Sequence, residues 1–182
     1  MGNIEYEKIN PFNNGYLKTT LPKKLTDRLR EICLSKNKSI DEWNTYDFYE
    51  WNFSEIKELN TIQVDMVKEF MKTYDSVKQS DIFSFNGWVN IRKDKSWHKP
   101  HYHNNTPLIL NTYISVPEGT SVSFMNPDTN YGSGKGDSDS STHTINVKEG
   151  TMILTPGWWL HWTNPTFKKE DRISISSNVT IQ

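Results

Sequence analysis

Residues 97 to 103 read Trp97-His98-Lys99-Pro100-His101-Tyr102-His103, so three of the chain's five histidines lie within six residues. In an extended segment the side chains alternate between two faces, which places His101 and His103 on one side and His98 on the other. Two imidazoles on one face of a strand end have the geometry of a metal chelate. The plain alternative is a pair of surface histidines that share a face by chance.

A further histidine, His161, lies 58 residues after His103, in the segment Pro156-Gly157-Trp158-Trp159-Leu160-His161-Trp162. It directly follows a predicted strand over residues 151–155, and in that position it can complete a facial triad with His101 and His103. The fifth histidine, His143, stands at the exit of a Gly/Ser-rich stretch with no partner nearby in the sequence. We therefore predict that His143 lies on the surface.

Arg172 follows His161 by 11 residues, in the segment Asp171-Arg172-Ile173-Ser174-Ile175-Ser176. On a strand, Arg172, Ser174 and Ser176 share one face and the isoleucines take the other. A guanidinium on the inner face of a sheet is costly unless it binds an anion, which it can hold with two hydrogen bonds. The pattern indicates a metal beside a carboxylate ligand, although Arg172 considered alone is typical of a surface charge on an edge strand.

The second half of the chain has the pattern of an antiparallel β-protein. Short β-rich runs alternate with turn signals such as Pro117-Glu118-Gly119 and Glu149-Gly150, which predicts a sandwich or barrel. The predicted strands cover residues 82–91, 108–116, 121–125, 142–147, 151–155 and 173–181. The Gly/Ser-rich residues 131–141 predict a loop between two strands, and this loop is either an exposed linker or a lid over a site.

Residues 1 to about 80 form a mixed, partly helical half. Apolar residues at helical spacing predict two amphipathic helices, each of which needs a sheet to cover. The first stripe is Leu25, Leu29, Ile32 and Cys33, and the second is Ile62, Met66, Val67, Phe70, Met71 and Tyr74. We therefore expect a single domain over residues 1–182, with a flank at 1–80 and a β-core at 81–182.

The composition excludes several classes of protein. The chain has 182 residues, with 21 Lys and Arg against 22 Asp and Glu, and this balance argues against a nucleic-acid-binding protein. No apolar run approaches the roughly 18 residues of a membrane span, and the N-terminus is too polar for a secretory signal. The single cysteine, Cys33, rules out an intramolecular disulfide and argues against a cysteine zinc site. These features predict a cytoplasmic protein.

Alanine is missing from the chain, whereas asparagine occurs 18 times. Alanine is normally among the commonest residues, and its codons are rich in G and C. We interpret the composition as the mark of an AT-biased genome, such as that of a phage, in which case the protein acts in the host cytoplasm.

The order of these residues resembles the signature of the 2-oxoglutarate- and iron(II)-dependent oxygenases, which is His-x-Asp/Glu, a distal His and then an Arg or Lys. The resemblance is closer to a small branch of phage-encoded and uncharacterised oxygenase-like proteins with a His-x-His form. Here His101-Tyr102-His103 and Arg172-Ile173-Ser174 match that branch, and the resemblance covers about residues 82 to 180. It implies a mainly β fold with flanking α-helices, the double-stranded β-helix, also called a jelly roll and cupin-like.

The resemblance also implies roles for individual residues. Fe(II) would be bound by His101, His103 and His161, with His103 standing where the larger family has a carboxylate. The C5 carboxylate of the cosubstrate 2-oxoglutarate would be bound by Arg172 and Ser174. Tyr113 either joins these two residues or is a plain core ring.

Four further residues are expected to line the substrate pocket, because they surround the ligand segments in the sequence. They are His98, Trp97, Trp88 and Trp159. The alternation of side chains places His98 away from the ligand face, at the mouth of the site.

The resemblance implies an oxygenase that uses O₂ to hydroxylate a small-molecule or peptide substrate, with release of succinate and CO₂. The main alternative is a non-catalytic, cupin-like binding module or virion-associated module. A cupin-type dioxygenase with three histidine ligands and no cosubstrate is a third possibility. Arg172 and Ser174 argue against it, because such an enzyme needs no dedicated clamp for a carboxylate.

Overall fold

The computed structural model describes residues 4–36, 48–75, 77, 80–92, 97–127, 141–166 and 170–182. In chain order the elements are β1 (Glu7–Ile9), β2 (Tyr16–Thr20), α1 (Lys23–Lys36), α2 (Ser54–Thr73), β3 (Phe83–Arg92), β4 (His98–His101), β5 (Leu108–Ser115), β6 (Ser121–Met125), β7 (Thr142–Asn146), β8 (Thr151–Pro156), β9 (His161–Thr163) and β10 (Arg172–Ile181). A short 3₁₀ helix, Phe48–Glu50, precedes α2. Residues 131–140 of the predicted Gly/Ser loop lie outside the described residues.

The strands form two antiparallel sheets. The larger sheet has the order β1-β2-β8-β5-β10-β3, and the smaller has the order β4-β9-β6-β7. From β3 onward the chain passes back and forth between the two sheets, and strands far apart in sequence become neighbours. Strand β10, for example, lies between β3 and β5, with Ile175 opposite Val89 and Thr112. This arrangement is the jelly roll, and it confirms the predicted fold class.

The six predicted strands of the second half are all present, as β3, β5, β6, β7, β8 and β10. The structure adds four short strands for which no prediction was made. Two of them, β4 and β9, carry the histidines. The other two, β1 and β2, come from the half that was expected to be mixed and partly helical, and β2 extends the larger sheet by pairing with β8. Three of these four strands, β1, β4 and β9, have only three or four residues, too few alternations to give a periodic signal.

The two helices cover the outer face of the larger sheet. Leu29 of α1 and Phe70 of α2 are fully buried in one apolar cluster with Val89, Ile175 and Leu154 of the sheet. Burial of each such side chain stabilises the fold by about 1.5–3 kcal/mol. The predicted amphipathic stripes are therefore the faces that the helices turn toward the sheet. In the described part of the chain, no helix combines the length and apolar character needed to cross a membrane.

Cys33 offers a direct test of this packing, because it is fully buried on α1 and burial raises the pKa of its thiol to about 12. Only the thiolate reacts rapidly with alkylating reagents. We expect the native protein to resist iodoacetamide at pH 8 and to be alkylated once urea unfolds it, as measured by the mass of the intact chain. Alkylation of the native protein as fast as that of the unfolded chain would contradict the buried position.

Candidate metal centre and anion pocket

Three imidazoles meet in a cavity that is lined by both sheets. His101 ends β4 and His161 begins β9, and the two residues are cross-strand partners. His103 follows β4, where its backbone N–H donates a 2.9 Å hydrogen bond to the carbonyl of Gly157. One ring nitrogen from each of the three histidines lies within 4.8 Å of the other two. The structure therefore brings together the three histidines that the sequence singled out.

The outward nitrogen of each ring has an oxygen partner. Nδ1 of His101 lies 2.9 Å from the carbonyl oxygen of Lys99, and Nδ1 of His161 lies 2.9 Å from that of Trp159. A carbonyl oxygen only accepts hydrogen bonds, so these Nδ1 atoms carry the proton. Nδ1 of His103 lies 2.8 Å from Oδ1 of Asn178 and donates in the same way. All three rings are thereby left with the Nε2 lone pair available to a metal.

Burial favours the neutral form of these rings. It lowers the pKa of His161 to about 3, and the neighbouring His101 contributes to the shift. Burial and His101 likewise lower the pKa of His103 to about 4, and burial lowers the pKa of His101 itself. Since a lowered pKa means that the proton is lost at lower pH, the rings are neutral at pH 7 and their lone pairs are free of competition from protons.

The cavity is narrow, with a volume of about 30 Å³, and one of its walls is the larger sheet. Side chains at every second position of three adjacent strands line that wall. They are Trp88, Asn90 and Arg92 of β3, Asn111 and Tyr113 of β5, and Arg172, Ser174 and Ser176 of β10. The histidines, Val122 and Thr163 complete the opposite side. A ligand held there must be small and slender.

Arg172 is a buried charged residue in this wall. It is only 4% exposed, and its Nη1 atom has no hydrogen-bond partner among the described residues. A buried guanidinium nitrogen without an acceptor is costly, so the site suits an anion. Ser174 lies two residues along the same strand, directly opposite Tyr113. Burial raises the pKa of Tyr113 to about 12, so its hydroxyl keeps its proton and can donate to the same anion.

The four residues expected to line a substrate pocket lie in different places. Trp88 and His98 belong to the cavity wall, and the ring of Trp88 stacks on His103 with 6.0 Å between the centroids. Trp159 is fully buried elsewhere, in an aromatic cluster with Tyr16 and Phe124. Trp97 is 49% exposed and does not line the cavity.

The position of His98 departs from simple alternation. The pairing of β4 with β9 shifts by one residue between His98 and His101, as in a β-bulge. The bulge turns His98 to the ligand side, where its ring stacks on His101 with 4.0 Å between the centroids. The prediction that His98 points away from the ligand face was therefore wrong, because alternation assumes an unbroken strand.

His143 was predicted to lie on the surface, and this was also wrong. Its ring is half-buried, and its Nε2 lies 3.1 Å from the hydroxyl of Tyr16, with the ring of Phe12 against it. Both partners come from the first 16 residues of the chain, so a search of neighbouring sequence could not find them.

The sequence reasoning gave no role to several polar residues that reach the site. Asn178 orients His103, and Asn90 donates a 3.1 Å hydrogen bond to Ser176, which donates in turn to Asn111. A signal for Asn178 was present, because the spacing of two that joins Arg172, Ser174 and Ser176 continues to residue 178. The same spacing along β3 marks Trp88, Asn90 and Arg92.

Comparison with known proteins assigns this architecture to a family. A family model described as "Putative 2OG-Fe(II) oxygenase", where 2OG is 2-oxoglutarate, matches residues 86–178, slightly more than half of the chain. The chain belongs to the 2OG-Fe(II) oxygenase family. The matched range includes the three clustered histidines and Arg172. Enzymes of this family use Fe(II), 2-oxoglutarate and O₂, as the sequence predicted.

Solved structures share the fold of this oxygenase. A prolyl-4-hydroxylase from Pseudomonas putida is 11% identical, with a TM-score of 0.66 over 93% of this chain and 89% of that one. HygX from Streptomyces hygroscopicus, with nickel and 2-oxoglutarate bound, is 14% identical, with a TM-score of 0.63 over 92% and 83%. The viral collagen prolyl hydroxylase of Paramecium bursaria Chlorella virus-1, in complex with 2OG, is 16% identical, with a TM-score of 0.58 over 97% and 96%. No curated protein sequence matches the chain.

The hydrogen bonds of the triad predict its tautomers. In ¹H–¹⁵N spectra of the metal-free oxygenase at pH 7, we expect His101, His103 and His161 all to be neutral and protonated on Nδ1. Asn178→Leu should release His103 from this tautomer, whereas His161, which donates to a backbone carbonyl, should be unchanged and serves as an internal control. A wild-type His103 protonated on Nε2 would contradict the proposed orientation.

Proposed function

We propose that this oxygenase hydroxylates a C–H bond of its substrate in a reaction that converts 2-oxoglutarate and O₂ into succinate and CO₂. Iron(II) and bound 2-oxoglutarate together supply the oxidising chemistry in such a reaction. The observation that carries the proposal is one cavity with three convergent Nε2 atoms and a buried guanidinium that lacks a partner among the described residues. The first feature suits a metal ion and the second suits a carboxylate.

His101, His103 and His161 would hold the iron. Neutral imidazoles are good ligands for iron, and the Nδ1 hydrogen bonds hold each ring with Nε2 toward the cavity. Because no ligand of this set is a carboxylate, the protein leaves the positive charge of the metal uncompensated. The dianion 2-oxoglutarate would then supply the compensating charge, which links metal and cosubstrate binding.

Arg172 would bind the C5 carboxylate of 2-oxoglutarate, with Ser174 and Tyr113 as additional donors. Each of the three lines the same wall, and Ser174 lies directly opposite Tyr113. Charge-assisted hydrogen bonds of a buried guanidinium are among the strongest that a protein can offer a carboxylate. The role of these residues is to fix the cosubstrate in one orientation.

Trp88 and His98 would face the substrate. Their rings pack against His103 and His101, so they shield the metal ligands from water and limit the space beside them. The cavity is narrow, which favours a slender substrate group, and prolyl hydroxylases are among the proteins that share the fold. We propose that the substrate is of this small-molecule or peptide class.

The metal site can be tested by absorption spectroscopy. Without oxygen, addition of Fe(II) and 2-oxoglutarate to the wild-type protein should produce a metal-to-ligand absorption band in the visible range. His161→Ala should abolish the band because it removes an iron ligand, and His143→Gln should retain it because His143 lies outside the cavity wall. A wild-type protein that shows no band, beside a control oxygenase that does, would contradict the proposal.

The role of Arg172 predicts a selective defect. Arg172→Gln should raise the half-saturating concentration of 2-oxoglutarate at least about tenfold, since a hydrogen bond to a charged group contributes about 1.5–3 kcal/mol. Iron content, measured on the purified protein, should change little. Equal losses of iron and 2-oxoglutarate binding would instead assign Arg172 a role in folding.

Catalysis can be separated from simple binding by product analysis. In the presence of O₂ the wild-type protein should form succinate from 2-oxoglutarate, and Arg172→Gln should do so only at raised cosubstrate concentration. A protein that binds 2-oxoglutarate and forms no succinate would be a binding module.

A further inference from the structure

A second guanidinium, that of Arg92, lines the same cavity wall as Arg172. Arg92 ends β3 and lies directly opposite Arg172 at the start of β10. Residues that face each other across two antiparallel strands project from the same side of the sheet, with Cβ atoms about 4.5–5.5 Å apart. The Cβ atoms of the two arginines therefore lie next to each other at one end of the cavity.

Two like charges in this position oppose each other. Burial lowers the pKa of Arg172, the neighbouring Tyr113 raises it, and the positive charge of Arg92 lowers it. An anionic ligand placed between the two guanidiniums would be attracted by both of them.

The position of the pair along the sheet indicates which negative charge this is. Asn178, which holds His103, lies six residues beyond Arg172 on β10. At about 3.3 Å per residue, the two arginines lie roughly 20 Å along the strand from that histidine anchor. Arg92 therefore lies at the same end of the sheet as Arg172, where Arg172 would hold the far carboxylate of the cosubstrate.

We infer that Arg92 and Arg172 bind the C5 carboxylate of 2-oxoglutarate jointly, so that Arg92 is a second cosubstrate-binding residue. This inference rests on the proposed function. A carboxylate has two oxygens with about four acceptor positions, enough for two guanidiniums together with a hydroxyl. The buried Arg172 would approach from β10, the strand next to the sheet edge, and Arg92 would close the pocket from β3, the edge strand itself.

The test compares two ligands that differ only at C5: 2-oxoglutarate and 2-oxopentanoate, in which a methyl group replaces the C5 carboxylate. Their dissociation constants are measured without oxygen on the Fe(II)-loaded full chain, from the visible absorption band. Arg92→Gln should weaken the binding of 2-oxoglutarate at least about tenfold, as loss of a charge-assisted hydrogen bond predicts, and should weaken that of 2-oxopentanoate by less than about twofold. Arg92→Lys keeps the charge and should weaken 2-oxoglutarate less than Arg92→Gln does.

Arg28→Gln is the matched control, because Arg28 is an exposed arginine on α1 that pairs with Glu31 and Glu55. It removes the same charge outside the cavity and should leave both dissociation constants unchanged. Far-UV circular dichroism and iron content confirm that each variant is folded and loaded.

Three outcomes would overturn the inference. If Arg92→Gln binds 2-oxoglutarate as tightly as the wild type, Arg92 serves another anion, such as a charged substrate. If both ligands weaken equally, Arg92 does not contact the C5 group. If the wild-type protein binds neither ligand, the proposed function itself fails, and this result is distinct from the first two because it appears before any substitution is made.

Discussion

The two-residue alternation of side chains along β10 is the constraint that joins the core to the site. Ile173, Ile175 and Val179 point toward the helices and belong to the main apolar cluster. The alternate residues lie on the opposite face, where Arg172, Ser174 and Ser176 line the cavity and Asn178 accepts a hydrogen bond from His103. A one-residue shift of β10 would exchange these two faces, burying an arginine among leucines. Packing of the helices against the sheet therefore fixes which residues of β10 face the cavity.

The buried positive charge of Arg172 is the main electrostatic cost of this fold. Arg172 lies within the sheet with one nitrogen lacking a partner in the described part of the chain, and Arg92 stands opposite it. A cavity of this kind is stabilised by its ligand, because the anion removes both the desolvation penalty and the repulsion. In the proposed function the triad would add to the same imbalance, since three neutral imidazoles would leave a divalent metal uncompensated. Metal, arginines and cosubstrate would then form one electrostatic unit.

The sequence was sufficient for the parts of the molecule that follow a regular period. The stripes of α1 and α2, the six strands of the second half, the clustered histidines and Arg172 all follow from spacing and residue type. Features that depend on irregular or distant pairing could not be predicted. The bulge in β4 turns the side chain of His98 to the opposite face of the strand. Trp159 packs in a separate aromatic cluster. His143 lies within hydrogen-bond distance of Tyr16, 127 residues away in the sequence. None of these contacts is indicated by a pattern in the neighbouring sequence.

The histidines are held in place by contacts that do not require the metal. His103 donates its backbone N–H to Gly157, and the N–H of Gly157 donates to Pro107, so the two ligand segments are tied together by the backbone. A side chain at position 157 would place its Cβ 2.0 Å from the carbonyl oxygen of Thr106, which explains why this position is glycine. Two of the three Nδ1 partners are also backbone carbonyls. The apo site is therefore preorganised, and metal binding need not supply the free energy that orders these loops.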